Sequence, residues 1–166
     1  MTQVRLRKRS VWLSVVWLLG FGLSPTVAAA QRLTLAQLDS ALRAEAKPVL
    51  LYLHADWCTY CTALEQQTLS DPEVRALLAS AVHFVGFDTE SSEDQVFAGR
   101  SYVARSRGRR RRQHQLVDAL TPPGGSLSLP ALVLLDPQLR VRGLHQGFLS
   151  AAELKAALEK LAAAGG

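Results

Sequence analysis

Three short runs of apolar residues predict the core β-strands of this chain. They cover residues 49–53, 82–87 and 131–135. The first and third runs are almost unbroken, which is typical of strands buried on both faces, whereas the second alternates apolar and polar positions. A turn at residues 136–138 leads into residues 140–148, which complete a predicted hairpin.

Apolar residues at three- and four-residue spacing predict helices between these strands. A first helix is expected to begin after Thr34, which can act as its N-cap, and to end before Pro48. Its apolar face comprises Leu35, Leu38, Ala41 and Leu42. A second helix is expected to begin near residue 61 and to run through Leu69.

Capping signals predict two more helices. Ser70, Pro72 and Glu73 combine an N-cap candidate, an early proline and an acid three residues after the serine, which predicts a short helix over residues 74–78. Ser150 and Glu153 form a capping box before the terminal helix. The apolar face of that helix comprises Leu154, Ala157, Leu158 and Leu161.

Residues 90–129 follow no clear period and are expected to be an irregular insert. They contain an arginine-rich run at Arg105–Arg112, a short helical pattern near 113–120 and a breaker cluster at 121–125. Around this insert, helices and strands alternate. The order predicts an α/β domain whose first two strands pair in parallel across a helical crossover.

The N-terminus has the three parts of a secretory signal peptide. Arg5, Arg7, Lys8 and Arg9 are basic, residues 11–23 form an apolar stretch, and Ala28–Ala30 are small residues suited to cleavage. Cleavage after about Ala30 predicts an exported, periplasmic domain over residues 31–166. The alternative is a retained membrane tether, but an apolar stretch of 13 residues is shorter than the roughly 20 that a spanning helix needs.

Removing this segment changes the charge of the chain. The whole sequence has a formal charge of +5, and residues 31–166 have a net charge of +1. Seven of their basic residues lie between Arg100 and Arg112. Such a run is typical of a solvated loop, and contact with anionic lipid headgroups or an acidic partner is the functional alternative. The export signal argues against nucleic-acid binding.

The two cysteines of the chain, Cys58 and Cys61, lie where an apolar strand gives way to a helix. A disulfide between them closes a very short loop, which is worth only about 2 kcal/mol as a structural link. Thiol–disulfide exchange instead needs one thiol that attacks and a second that resolves the mixed disulfide. A thiol at a helix start is favoured as the attacker because nearby backbone N–H groups lower its pKa.

Three segments together resemble the thioredoxin-like superfamily. They are residues 55–61, which read Ala-Asp-Trp-Cys-Thr-Tyr-Cys, then Leu129–Pro130 before an apolar strand, and Gln146–Ser150 before the last helix. Residues 54–58 and 70–74 are most similar to the C-terminal periplasmic domain of DsbD-type thiol:disulfide interchange proteins and to small exported thioredoxin-related proteins. The resemblance implies a thioredoxin fold, a central mixed sheet flanked by helices, with the Arg-rich insert before the cis-proline strand.

The resemblance also implies a role for each site residue. Cys58 would be the exposed nucleophile, Cys61 the resolving thiol and Pro130 a cis-proline on which a partner's backbone docks. The expected substrate-binding residues are Trp57, Thr59, Tyr60, Leu129 and Pro130. The redox disulfide would serve without another cofactor. A metal site is not expected, because the four histidines are scattered without metal-ligand spacing.

One position departs from the family pattern. Thioredoxins usually have a buried Asp six residues before the first cysteine, and here that residue is Tyr52. The second strand also lacks the lysine that often accompanies this Asp. His54, Asp56 or a water molecule would then have to carry the resolving thiol's proton.

The sequence therefore predicts a periplasmic thiol:disulfide oxidoreductase, monomeric, that reduces exported proteins and is itself reduced by a membrane or periplasmic electron donor. The direction of electron flow follows from the resemblance alone, so a disulfide oxidase or isomerase is an alternative. A second alternative, of a different class, is a non-catalytic binding module that uses the same fold.

Overall fold

A computed structural model describes residues 31–105 and 113–164 of the chain. The proposed signal peptide and residues 106–112 of the arginine run lie outside these ranges. The described part is built on a four-stranded sheet with the order β2-β1-β5-β6. Strand β1 covers Val49–His54, β2 covers His83–Asp88, β5 covers Ala131–Leu135 and β6 covers Val141–Gln146.

The sheet is mixed, as the fold prediction required. β1 pairs in parallel with β2 and antiparallel with β5, and β5 pairs antiparallel with β6. Parallel pairing of β1 and β2 follows from the helical connection between them, because such strands need a crossover. β1 is central and buried along almost its whole length, which agrees with its nearly unbroken apolar sequence.

Helices cover both faces of this sheet. Alternate residues of β1 serve opposite faces. Val49, Leu51 and Leu53 face α1 (Leu35–Ala44) and α4 (Gln115–Leu120). Leu50 and Tyr52 belong to the other apolar cluster. That cluster is formed with α2 (Thr59–Leu64), α3 (Pro72–Ala81) and α5 (Ala151–Ala164).

The predicted helices are present, with three differences. The second helix is continued by a π-helical turn, Glu65–Leu69, which the spacing alone did not indicate. The N-cap of α3 is Asp71 and not Ser70, because the Asp71 carboxylate accepts the backbone N–H groups of Glu73 and Val74. The hydroxyl of Ser70 instead donates to the carbonyl oxygen of Gln66. The helix is also longer than the expected 74–78.

The insert contains more regular structure than predicted. A small hairpin pairs β3 (Gln95–Phe97) with β4 (Arg100–Tyr102), and its turn places Gly99 at a φ of 72°, a conformation that favours glycine. The expected short helix is α4. Phe97 and the apolar face of α4 join the core, so the insert packs on the α1 face of the sheet.

In the described residues, no helix is both long enough and apolar enough to cross a bilayer.

Candidate redox-active site

The two cysteines form a disulfide at the start of α2. β1 ends at His54, and after a short turn Cys58 takes the N-cap position of α2, with extended backbone angles. Its Sγ accepts the backbone N–H of Cys61 at 3.1 Å. The strand therefore delivers Cys58 to the helix start, and the first turn of the helix places Cys61 beside it, with their Cα atoms 5.1 Å apart.

Both cysteines are buried in this disulfide-bonded state, with relative exposures of 5% for Cys58 and 3% for Cys61. The expectation of an exposed Cys58 is wrong for this state. Its sulfur is bonded to Cys61, and both cysteines belong to the apolar cluster that includes residues of α2, α3 and α5. Trp57 and Tyr60, in contrast, are exposed on either side of it, at 48% and 67%.

The cis-proline segment lies at the same edge of the sheet. The Leu129–Pro130 peptide bond is cis, and the Pro130 carbonyl accepts the N–H of Gly147 at 2.7 Å. Antiparallel pairing places Ala131 opposite Leu53, so Pro130 lies near the end of β1 that leads to the cysteines. The fold thereby brings together Trp57 and Leu129, which line one open cavity of about 400 Å³.

Tyr52 occupies the position beneath the disulfide where the family resemblance suggested an acid. It is fully buried, and its hydroxyl donates to the carbonyl oxygen of Cys61 at 3.3 Å. Its ring stacks on His54, with 5.0 Å between the ring centroids. The aromatic ring thus fills the space between the central strand and α2.

A charged pair borders this tyrosine. Arg32 Nη1 lies 3.0 Å from Glu65 Oε1, and the Arg32 guanidinium carbon is 5.2 Å from the centre of the Tyr52 ring. Arg32 passes over Gly86, where an added Cβ would come within 2.5 Å of the Arg32 side chain. A glycine at this point of β2 is therefore what admits the arginine.

These neighbours change the ionisation of two side chains. Burial, and then the negative charge of Glu65, raise the pKa of Tyr52 well above its usual value, so the phenol stays protonated. Burial, and then the positive charge of Arg32, lower the pKa of His54. His54 is therefore uncharged at neutral pH.

His54 and Asp56 were the side chains expected to carry the resolving thiol's proton in place of a buried Asp, and they differ in burial. Asp56 is exposed, and His54 is half-buried against Tyr52. Sequence reasoning missed Glu65 and Arg32. Glu65 lies four residues after Cys61, which places both on one helical face, so that spacing could have indicated it. Nothing in the local sequence indicates Arg32, which reaches the site from outside the helix.

The described residues contain no group of three or more His, Cys, Asp or Glu side chains arranged to hold a metal ion.

Comparison with known proteins places this geometry in a family. A model of the family described as thioredoxin-like matches residues 31–137. Over 66 residues, 37% of this chain, the sequence is 50% identical to the thiol:disulfide interchange protein DsbD 1 of Pseudomonas aeruginosa. The match spans 11% of that relative, so the chain corresponds to a small part of it.

Two solved structures share the fold. A thioredoxin from Thermus thermophilus is similar with a TM-score of 0.57 at 21% identity, covering 82% of this chain and 91% of that one. The reduced C-terminal domain of DsbD from Neisseria meningitidis has a TM-score of 0.50 at 23% identity, covering 75% and 90%. The extent of the family match, the mixed sheet and the cysteine pair at the start of α2 agree: the chain belongs to the thioredoxin-like family.

Proposed function

We propose that the protein is an exported thiol:disulfide oxidoreductase that reduces disulfides in other exported proteins through the Cys58–Cys61 pair. The observation that carries this proposal is the disulfide itself, at a helix start and beside a cis-proline segment. The name of the Pseudomonas relative, a thiol:disulfide interchange protein, supports the same class of reaction.

Cys58 is the attacking thiol in this proposal. The Cys61 N–H that donates to Cys58 Sγ would also donate to a thiolate, and hydrogen bonds to the charged form lower a thiol's pKa. The unpaired N–H groups at the start of a helix act in the same direction. Cys61, one turn further along, has no such position and suits the resolving step.

The exchange reaction balances in two steps. The Cys58 thiolate attacks one sulfur of the partner's disulfide, forming a mixed disulfide and releasing the partner's other sulfur as a thiolate. Cys61, as its thiolate, then attacks Cys58 Sγ and releases the partner's second thiolate. Two electrons pass to the partner and the Cys58–Cys61 disulfide forms, so an external dithiol donor is needed to regenerate the reduced pair.

The partner would dock on the exposed side chains around the disulfide. The side chains next to the cysteines in sequence are Trp57, Thr59 and Tyr60, and all three are exposed. Leu129 is half-buried and Pro130 is buried, so this segment would contribute the Leu129 side chain and the Pro130 backbone, which would align the partner's chain. Phe148, 39% exposed, follows the Gly147 that bonds to Pro130 and extends this surface.

The N-terminal sequence and the relatives support an exported setting for this reaction. Cleavage after about Ala30 would release the domain of residues 31–166 into the periplasm, where a membrane or periplasmic donor would reduce it. A retained tether would instead hold the same domain at the membrane surface. The export signal, together with the resemblance to interchange proteins, favours exported proteins as the substrates and a monomer as the working form.

An insulin-reduction assay tests this function. We expect the protein to accelerate the reduction of insulin by dithiothreitol, and Cys58→Ser to abolish that acceleration. Cys61→Ser is the matched variant: it keeps the attacking thiol, so it should accumulate a mixed disulfide with the substrate, visible on a non-reducing gel.

Negligible activity in both wild type and Cys58→Ser would instead favour a binding module with an inert disulfide. A redox titration then measures the reduction potential of the Cys58–Cys61 pair, which distinguishes a reductase from an oxidase. Cys-X-X-Cys proteins span about −270 to −120 mV, and a value near the lower end is expected for a reductase.

A further inference from the structure

The cavity beside the disulfide contains a carboxylate whose bonding is incomplete. Glu90 lines this cavity together with Trp57 and Leu129, the residues that flank the cysteine pair and the cis-proline. Its Oε1 is shielded from solvent and accepts no hydrogen bond from any group in the described part of the chain. Leaving a shielded acceptor unpaired is unfavourable, and most such oxygens in proteins have a donor.

The insert holds Glu90 in this position. Its backbone N–H donates to Asp88 Oδ1 at 2.9 Å, which makes a tight turn directly after β2. The preceding residue, Thr89, is buried, donates through Oγ1 to the carbonyl of His54 and accepts the N–H of His114. The turn is thus fastened both to the end of β1 and to the start of α4.

The other walls of the cavity suit an aliphatic chain. Val117 from α4 and Leu127 and Leu129 from the segment before the cis-proline contribute apolar surface, whereas Thr89, Gln113 and Ser128 contribute polar surface. A lysine or arginine side chain has an apolar stem and a cationic end, so it can lie along such walls and place its charge on a carboxylate.

We propose that Glu90 and this cavity form a subsite for a basic side chain, Lys or Arg, next to the disulfide of the polypeptide partner. The proposal rests on the function proposed above and adds a partner preference to it. The terminal torsion of a glutamate is soft, so a small rotation brings the shielded oxygen to a cation in the cavity. Glu90 is a specificity residue here and takes no part in the exchange of sulfur bonds.

Matched disulfide peptides test the preference. Three peptides, identical except for Lys, Ala or Glu beside the cysteine, would each be reduced by the reduced full-length protein, and kcat/KM compared. Because a hydrogen bond to a charged group is worth more than a neutral one, we expect the Lys peptide to react about tenfold faster than the Ala peptide. The Glu peptide should react more slowly than either.

Glu90→Gln keeps the shape of the side chain and removes its charge. We expect this variant to lose most of the preference for Lys, measured as the ratio of kcat/KM for the Lys peptide to kcat/KM for the Ala peptide. Glu93→Gln is the control, since Glu93 is an exposed acid three residues away and the same charge is removed. It should keep the preference.

The outcomes separate the subsite from the function on which it rests. Reduction of all three peptides at one rate, or an equal loss of preference in Glu90→Gln and Glu93→Gln, would overturn the subsite and leave the oxidoreductase intact. Failure to reduce any peptide would overturn the proposed function and the subsite with it.

Discussion

At the scale of single residues, Tyr52 shows what the site has in place of a buried acid. The sequence identified Tyr52 as a departure from the family pattern but did not indicate what its side chain contacts. The structure places its hydroxyl on the carbonyl of Cys61 and its ring beneath Arg32. The phenol stays protonated, so it acts as a hydrogen-bond donor that holds α2 on the sheet.

This role predicts a modest loss of stability in Tyr52→Phe. The Cys61 carbonyl also accepts the N–H of Glu65, so the lost bond should lower the free energy of unfolding by about 0.5–1 kcal/mol, the low end of the usual range. Urea unfolding measures this. Tyr60→Phe is the control, because the exposed Tyr60 should change stability by less than about 0.5 kcal/mol. Equal losses in the two variants would contradict the role of the hydroxyl.

At the scale of elements, most helices and strands could be predicted because their signals are local. Apolar periodicity and capping residues act within one or two turns, and the strands at 49–53 and 131–135 are found almost where expected. The hairpin β3–β4 was not predicted, since three-residue strands are too short to show a period. The cap of α3 was assigned one residue early, because Ser70 and Asp71 are both good N-caps.

The correct cap of α3 can be measured directly. Asp71→Ala removes the acceptor for two backbone N–H groups and should lower the free energy of unfolding by about 1 kcal/mol. Ser70→Ala removes only a hydroxyl that bonds to Gln66, so its effect should be clearly smaller. Thermal or urea unfolding of the two variants compares them. A larger loss of unfolding free energy in Ser70→Ala than in Asp71→Ala would show that Ser70 is the N-cap, as the sequence predicted.

At the scale of the whole molecule, the positive charge is concentrated in the insert, and the rest of the domain is mildly acidic. The insert packs α4 and the hairpin on one face of the sheet, and its arginine run continues beyond the described residues. Arg105, at the start of that run, pairs with Asp118 of α4 at 3.1 Å. The remaining arginines give an otherwise mildly acidic domain a single concentrated basic segment.

A lipid contact through this segment predicts a sharp fall in binding to anionic vesicles when Arg109, Arg110, Arg111 and Arg112 are replaced by Ser. Each arginine near such a surface contributes about 1 kcal/mol, so four should abolish measurable binding in a sedimentation assay. In a control with the same charge change, four exposed basic residues elsewhere are replaced by Ser, and vesicle binding should be largely retained. These residues are Arg43, Arg75, Arg142 and Lys160. Unchanged binding after the first replacement would leave the run as a solvated loop.

Local sequence patterns were enough to predict most of the helices and strands and the thiol–disulfide chemistry of the cysteine pair. The spacing of Cys58 and Cys61 indicated exchange rather than a structural link, and periodicity placed that pair between a strand and a helix, because both are short-range properties. The surroundings of the pair were decided only by the tertiary structure. Arg32 and Glu65 meet Tyr52, and Glu90 joins Trp57 and Leu129, because packing the sheet and its insert brings distant residues within contact distance, which no local pattern specifies.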